Sequence, residues 1–396
     1  MKSKALISWV ILVLIISACA GNTSTSSGQV TDSVSQSTEL PPTPYPDTPS
    51  PPEINAALIE APVLVKIQFL NELDGWGVTE TEIARTNDGG ITWYDVSPPD
   101  MTETGYSIKI FILDNDHVWV QKPDFENFPN SGFLSRTSNA GSTWTTFDTP
   151  FSRGDLRFLD EDNGWMLADL DLGAGSNAVA IYQTTDGGAK WNLRYINDPN
   201  HPDAKDSLPL AGLKTGIVPL NMQTAWVGGV IYAPGTLYLY RTDDGGSTWS
   251  PVTLELPAGA ENAELSIDAD QMQFVTRRDG FLAVHMAGDS TQTAIYVTHN
   301  AGDTWRLTPT LIPNDGSSDF LSADEAVIYD GDQFYVTRDA ARTWSSISPD
   351  IDFGESFASM DFVDVTSGWV ITIASANHHS LYRTTDGGAT WFPVIP

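Results

Sequence analysis

Four arginines occupy equivalent places, each directly before a threonine that opens a recurring eight-residue segment: Arg85, Arg136, Arg241 and Arg383. A guanidinium group binds a carboxylate through paired hydrogen bonds. If the repeats that contain these segments close into a ring, the arginines would form an arc on one face of it, which would suit a carboxylate-bearing partner. In such a ring Arg383, Arg85 and Arg136 would lie side by side. The alternative is that each arginine neutralises the acidic turn of its own repeat.

The eight-residue segment occurs seven times and has the chemistry of a hairpin turn. Asp or Asn at its third position can accept hydrogen bonds from turn amides, and Gly at its fifth supplies a positive φ. Trp93 closes the first copy and Trp391 the last, which gives a period of about 50 residues and fits a four-stranded propeller blade. The structural Asp and Asn residues are Asp88, Asn139, Asp186, Asp244, Asn300, Asp339 and Asp386.

A second signature precedes the turn in each repeat: an apolar strand and an acidic turn, followed in five repeats by Trp. Seven of the 13 tryptophans close the turns, five belong to this signature and Trp9 lies near the N-terminus. No Trp is therefore left over as a ligand platform. The pattern predicts an all-β fold, a seven-bladed β-propeller of four-stranded antiparallel blades. We expect the first and seventh blades to meet by face packing, without strand exchange.

The N-terminus has the pattern of a bacterial export signal. Lys2 and Lys4 precede an apolar run, and Ser17-Ala18-Cys19 resembles a lipobox. We expect a signal peptide over residues 1–18, lipidation of Cys19, a Ser/Thr/Pro-rich tether over 19–60 and the propeller over 61–396. The protein would then be anchored outside the cytoplasm. Where the cell has two membranes we expect the outer one, because Ala20 rather than Asp follows the cysteine.

The composition excludes one class of partner and nominates no catalytic residue. The net charge is −31, and −33 once Lys2 and Lys4 are removed with the signal, so the surface repels nucleic acid. The acidic turns at 114–116 and 160–162 do not continue into calcium loops, and His378 and His379 are expected to be solvated. The sequence thus predicts no catalytic residue, no cofactor and no metal.

The repeats resemble the BNR, or Asp-box, repeat. The longer pattern Gly-Trp-x-Val, then Arg-Thr-x-Asp-Gly-Gly-x-Thr-Trp, resembles the photosystem II stability and assembly factor family across roughly residues 61 to 396. That resemblance implies a non-enzymatic, seven-bladed propeller that binds a membrane-protein partner. Sialidases and xyloglucanases share the repeat, but the sialidase Arg-Ile-Pro motif is absent from this sequence, and xyloglucanases use two propellers.

The predicted function is a membrane-tethered, extracytoplasmic binding or assembly module that docks a protein partner through the four arginines. The alternative is a carbohydrate-active protein that binds a glycan or hydrolyses it in a sialidase-like manner. The central pocket distinguishes the two: converging arginines with a Tyr–Glu pair favour an enzyme, and a shallow channel without paired acids favours a binding module. An insertion at residues 197–213 is expected to be a flexible loop.

Overall fold

The computed structural model describes residues 54–395, except 100, 102–107, 125, 174, 269 and 376–377. The predicted signal peptide, Cys19 and most of the predicted tether lie outside the described residues. The predicted start of the propeller at residue 61 is too late, because Ala57 and Leu58 already pair with Asp95 and Tyr94 in the first sheet. The described chain is all-β, with 30 strands and two short 3-10 turns, at Ala260–Asn262 and Gly354–Ser356. No helix in this part of the chain is long and apolar enough to cross a membrane.

The first three repeats form separate antiparallel sheets. The first consists of β1 (Ala57–Leu58), β2 (Leu64–Phe69), β3 (Gly75–Thr79), β4 (Ile83–Thr86) and β5 (Tyr94–Asp95). The second consists of β6 (Lys109–Ile112), β7 (His117–Pro123), β8 (Gly132–Ser138) and β9 (Thr145–Thr149). The third consists of β10 (Gly154–Phe158), β11 (Gly164–Gly173), β12 (Ser176–Thr184) and β13 (Asn192–Ile196).

The fourth and fifth repeats share one nine-stranded sheet. Its strands are β14 (Leu213–Pro219), β15 (Ala225–Val230), β16 (Tyr238–Thr242), β17 (Ser250–Pro251), β18 (Glu264–Ser266), β19 (Met272–Phe274), β20 (Gly280–Ala287), β21 (Thr291–Thr298) and β22 (Arg306–Pro313). The sixth repeat consists of β23 (Ser317–Phe320), β24 (Ala326–Tyr329), β25 (Phe334–Thr337) and β26 (Ser345–Ile347). The last consists of β27 (Phe357–Phe362), β28 (Gly368–Ser375), β29 (His378–Thr384) and β30 (Phe392–Pro393).

The prediction of seven separate blades needs correction, because five repeats form separate blades and two are joined. The short strand β18 pairs with β20 of its own repeat and also with β15, where Val230 lies opposite Ser266. The Ile267 amide donates to the Gly229 carbonyl at 3.1 Å and extends this link. A single pairing next to a turn leaves no trace in the hydrophobic pattern, so the sequence did not predict it.

Neighbouring repeats pack through a repeated aromatic contact. Trp119 stacks on Phe158 of the next repeat, with ring centroids 3.8 Å apart. Trp369 of the last repeat stacks in the same way on Phe69 of the first, at 3.7 Å. The two ends of the described chain therefore meet by face packing, and no strand passes between the first and last sheets.

The two ends of each blade differ in what they carry. In the first repeat Gly75 pairs with Phe69 on one side and with Thr86 on the other. The β2–β3 turn and the octapeptide turn thus share one end, which we call the box end. The β3–β4 hairpin, where Val78 pairs with Ile83, lies at the opposite end, which we call the hairpin end.

Candidate functional site

The Asp of each octapeptide is a structural residue that holds its own turn. Asp88 accepts hydrogen bonds from the Thr92 amide at 2.9 Å and from the Thr92 hydroxyl at 2.6 Å. The Thr86 hydroxyl donates to the same carboxylate at 2.9 Å and accepts from the Gly90 amide at 3.0 Å. Both carboxylate oxygens thus accept hydrogen bonds from the turn itself, which makes Asp88 a structural residue. The other six predicted positions repeat the pattern: Asn139, Asp186, Asp244, Asn300, Asp339 and Asp386.

Some octapeptides use alanine where the backbone needs a left-handed conformation. Ala301 has a φ of 60° and Ala140 a φ of 57°, whereas Gly89 and Gly90 fill such places in the first repeat at 78° and 92°. A residue with a Cβ pays roughly 1–2 kcal/mol in this region. The turn geometry therefore holds even where the preferred residue is missing.

Three of the four predicted arginines reach across to the next repeat at the box end. Arg136 donates to the Asp186 carbonyl at 3.3 Å. Arg241 contacts Asp303 of the fifth repeat and Asp243 of its own, each at 2.8 Å. Arg383 contacts Glu72 of the first repeat at 2.9 Å, across the junction of the chain ends.

Two arginines outside the predicted set make equivalent contacts. Arg194 donates to the Gly245 carbonyl at 2.9 Å, and Arg306 donates to the Ala340 carbonyl at 3.4 Å. The fourth predicted arginine, Arg85, lies 3.9 Å from Asp74 of its own repeat. All four predicted arginines thus have an acidic or carbonyl partner at a blade turn.

The central channel is the second place where charged residues converge. The innermost strands are β2, β6, β10, β14, β19, β23 and β27, and consecutive ones such as β6, β10 and β14, or β23, β27 and β2, contact each other. Lys66, Lys109 and Arg157 lie on the inner strands of the first, second and third repeats. Lys66 and Lys109 are exposed, and neither side chain has a hydrogen bond or ion pair with a described residue. We call the part of the channel that holds these three basic residues its positively charged side, although carboxylates also lie there.

Arg157 is held by two carboxylates of different character. Its Nε lies 3.1 Å from Asp155, which also accepts a hydrogen bond from the Ile217 amide of the next repeat at 2.9 Å. Its other contact, at 2.9 Å, is with Asp270, which precedes β19 in the fifth repeat. Arg157 belongs to the third repeat and Asp270 to the fifth, so this ion pair passes the fourth repeat and crosses part of the channel. The two carboxylates raise the pKa of Arg157 against the effect of burial, which keeps the guanidinium charged.

Two further carboxylates line the side of the channel formed by the last repeats. Asp319 accepts a hydrogen bond from the Phe362 amide at 2.9 Å, and Asp361 accepts one from the Phe69 amide. Burial raises the pKa of Asp361 to about 7. Burial and the nearby charge of Asp361 also raise the pKa of Asp319 well above its ordinary value. These acids join the inner strands of the sixth, seventh and first repeats.

The sequence prediction missed the channel residues, although a signal was present. Gln68, Arg157, Asp319 and Asp361 each lie directly opposite the position of the second-signature Trp on the neighbouring strand. Side chains alternate along a strand, so polar residues between buried apolar ones on an innermost strand stand out as candidates for contacts beside the channel. That alternation was sufficient to nominate them.

The other sequence-level candidates do not form sites. Asp114 and Asp160 cap their own turns by accepting amides such as those of His117 and Asn163, each at 2.8 Å. His379 lies 2.7 Å from the Leu64 carbonyl through Nδ1 and contributes to the junction of the chain ends. Among the described residues no group of three His, Cys, Asp or Glu side chains could hold a metal ion.

The insertion at 197–213 is packed against the blade edge. Lys214 is buried at its end, and its ammonium donates to the carbonyls of Leu210, Gly212 and Asn177 at 2.7, 3.0 and 3.0 Å. Burial lowers the pKa of Lys214 to about 7. Leu208 of the insertion is fully buried. The expectation of a flexible loop is therefore wrong, because this segment has its own anchor.

Comparison with known proteins agrees with this architecture. The family model for the photosynthesis system II assembly factor YCF48 matches residues 136–310. A YCF48 structure with a bound D1 peptide superposes with a TM-score of 0.51 at 16% identity, over 83% of this chain and 93% of that one. These two matches support a β-propeller built from repeats of the BNR type.

The second group of relatives of this BNR propeller are xyloglucanases. The Paenibacillus xyloglucanase is 25% identical over 309 residues, which is 70% of this chain and 25% of that protein. The GH74 xyloglucanase of Xanthomonas campestris superposes with a TM-score of 0.56 at 15% identity, over 86% of this chain and 55% of that one. The chain thus spans only about a quarter of the length of that first curated relative.

Proposed function

We propose that this BNR propeller is a binding module that holds a carboxylate-bearing segment of a protein partner at the positively charged side of its channel. The observation that carries the proposal is the convergence of Lys66, Lys109 and Arg157 on three consecutive inner strands. The chain has only 20 basic residues against 51 acidic ones. A cluster of cations in such a chain marks the place where a negatively charged ligand group is stabilised.

The two lysines are suited to a ligand because the fold leaves them unpaired. Lys66 and Lys109 are exposed and have no ion-pair partner among the described residues. Arg157, by contrast, is fixed by Asp155. A fixed guanidinium on the same side of the channel as two exposed ammonium groups can bind one carboxylate together with them.

The similarity to YCF48 also supports a protein-binding module. The chain superposes over 93% of a YCF48 chain that was solved with a bound D1 peptide. The described tryptophans pack in the repeats, with Trp76, Trp119, Trp165, Trp226 and Trp369 fully buried. No described Trp is among the exposed large hydrophobic side chains, whose aromatic members are Phe133, Tyr232 and Phe392.

The remaining parts of the proposal concern the whole protein. We propose a ring of seven blades that begins with β1 at residue 57, with the nine-stranded sheet counted as two. Cys19 would carry the lipid after removal of residues 1–18, and residues 19–56 would form the tether outside the cytoplasm. Arg85, Arg136, Arg241 and Arg383 would stabilise the ring at the box end rather than bind the partner. Replacement of Cys19 by Ser should move the protein from the membrane to the soluble fraction; unchanged fractionation at mature size would contradict the anchor.

Binding to a peptide library tests the proposed site. Peptides that end in a free carboxylate are compared with the same peptides ending in an amide. The double variant Lys66→Met/Lys109→Met should weaken binding of the free acids by about tenfold, as expected for screened charge pairs. Lys190→Met is the matched control, because Lys190 is equally exposed but lies in the third octapeptide, at the box end. Equal binding of acids and amides, or an equal effect of the control, would refute the site.

A carbohydrate-active function is the second candidate, and one specific observation favours it. Asp361 has a pKa of about 7, whereas the pKa of Asp270 in the same channel is below its ordinary value. Two carboxyl groups whose pKa values differ in this way can serve as general acid and general base in glycoside hydrolysis. The similarity to xyloglucanases points to a polysaccharide.

Release of reducing ends from xyloglucan tests this second candidate. Asp361→Asn and Asp270→Asn should each abolish hydrolysis, whereas Asp268→Asn should not. Wild-type protein that leaves xyloglucan intact under conditions where a xyloglucanase degrades it would remove xyloglucan hydrolysis from consideration.

A further inference from the structure

Asp270 occupies an unusual position for a residue that forms an ion pair. It precedes β19 of the fifth repeat, yet its carboxylate lies 2.9 Å from the guanidinium of Arg157 on the inner strand of the third. Its side chain nevertheless remains 81% exposed. The carboxylate is therefore presented to Arg157 from the open channel and is not packed into the wall.

The electrostatic surroundings of Asp270 are those of a bound anion. Crowding by protein atoms alone would raise the pKa of Asp270, but the charges of Arg157, Lys66 and Lys109 outweigh it and hold the pKa below its usual range. The same three cations form the positively charged side of the channel. Asp270 thus occupies the place that the cations favour for a carboxylate.

The other carboxylate on Arg157 is fixed in place. Asp155 lies on the inner strand β10, its side chain is only 17% exposed, and it accepts the Ile217 amide at 2.9 Å. Arg157 is the only hydrogen-bond or ion-pair partner that Asp270 has among the described residues. Exchange of one carboxylate at Arg157 would therefore release Asp270 and leave Asp155 in place.

We infer that Asp270 is a built-in competitor that occupies Arg157 in the unliganded protein and is displaced by the carboxylate of the ligand. This inference rests on the proposed function, because it concerns the same three cations. Displacement moves an exposed side chain into water, so it costs little beyond the ion pair itself. The bound state keeps Arg157 paired with two carboxylates, one of them now supplied by the ligand.

A competitor of this kind lowers the apparent affinity of the site for any carboxylate. The observed affinity equals the intrinsic affinity multiplied by the fraction of molecules in which Arg157 is accessible. Removal of the Asp270 charge should raise affinity by about fivefold to tenfold, which corresponds to a competitor bound about 80–90% of the time. Replacement of Asp268, an exposed carboxylate two residues earlier, leaves the ion pair intact and is the matched control.

Titration with sodium acetate at constant ionic strength tests the inference. NMR signals of the Arg157 guanidinium and of the Lys66 and Lys109 ammonium groups report binding at the site itself. Asp270→Asn and Asp270→Ala should both bind acetate about fivefold to tenfold more tightly than wild type, and Asp268→Asn should match wild type. Thermal melting of each variant verifies that the ring is intact.

The outcomes separate this inference from the proposed function. If acetate shifts the NMR signals of the three cations with the same affinity in wild type and in every variant, Asp270 is not a competitor, but the proposed site is still supported. If Asp270→Asn binds acetate more weakly, Asp270 helps to build the site and the inference is wrong. If acetate shifts none of these three NMR signals in wild type or in any variant, the site itself is refuted and the inference fails with it.

Discussion

Asp361 offers a sharp test of how the inner strands are joined. Its carboxylate accepts the Phe69 amide, which links the last repeat to the first. Replacement by Asn keeps an oxygen acceptor of the same size at this place but removes the charge. The effect on stability should therefore depend on pH, because only the ionised carboxylate differs in charge from the amide.

The magnitude follows from the pKa of the carboxyl group. In the unfolded chain Asp361 ionises near 3.8, and in the fold its pKa is about 7. Between these values the folded state binds more protons, so the free energy of unfolding falls as the pH rises. The full difference between the two pKa values corresponds to about 4 kcal/mol in the free energy of unfolding. Screening by water in the channel reduces this effect to about 1–3 kcal/mol.

Thermal melting at pH 5 and pH 8.5 measures this effect. Asp361→Asn should melt within about a degree of wild type at pH 5 and about 2–4 °C above it at pH 8.5. Asp361→Ala is the control, because it removes the charge and also the acceptor, and it should melt below Asp361→Asn at both pH values. If Asp361→Asn instead destabilises the protein at pH 8.5, the ionised carboxylate is favourable in the fold and the reasoning is wrong.

Three further predictions test other parts of the structure. Arg241→Ala should lower the free energy of unfolding by about 1–2 kcal/mol, because it removes the contacts with Asp243 and Asp303, whereas the exposed Arg338→Ala should have little effect in the same urea titration. Ala301→Gly should raise stability by about 0.5–1 kcal/mol in urea denaturation, because Ala301 has a φ of 60°; a loss of stability would refute the strain. Lys214→Met should leave three carbonyls without their donor and accelerate proteolysis within residues 197–213, and cleavage at the wild-type rate would show that the ammonium is not the anchor.

The repeated features of the fold were predictable from the sequence because each one appears several times. The octapeptide turn depends on contacts within eight residues, so Asp88 and its equivalents could be assigned directly. The strand before it shows the period of two that a half-buried strand requires. The meeting of Trp369 with Phe69 also follows, since every second-signature aromatic needs an apolar face in the next repeat.

The contacts between different repeats were not predictable from one sequence. Arg241 precedes an octapeptide, and its own turn offers Asp243, but the sequence does not show that Asp303 of the next repeat is equally close. Asp270 lies in a turn, and only the closed ring brings it to Arg157 across the channel. A ring places residues from distant repeats together, and neither spacing nor periodicity reports that distance.

Photo-crosslinking tests the central claim, that the channel cations hold a carboxylate-bearing segment of a protein partner. A photoreactive residue is placed at position 109 in the channel and, as a control, at position 190 at the box end, in protein expressed in its own cells. We expect one protein to be crosslinked from position 109 through a segment with a free carboxylate, and we expect this crosslink to be lost when Lys66 is replaced by Met. Crosslinks of equal yield from both positions, or crosslinks from position 109 that persist without Lys66, would contradict it.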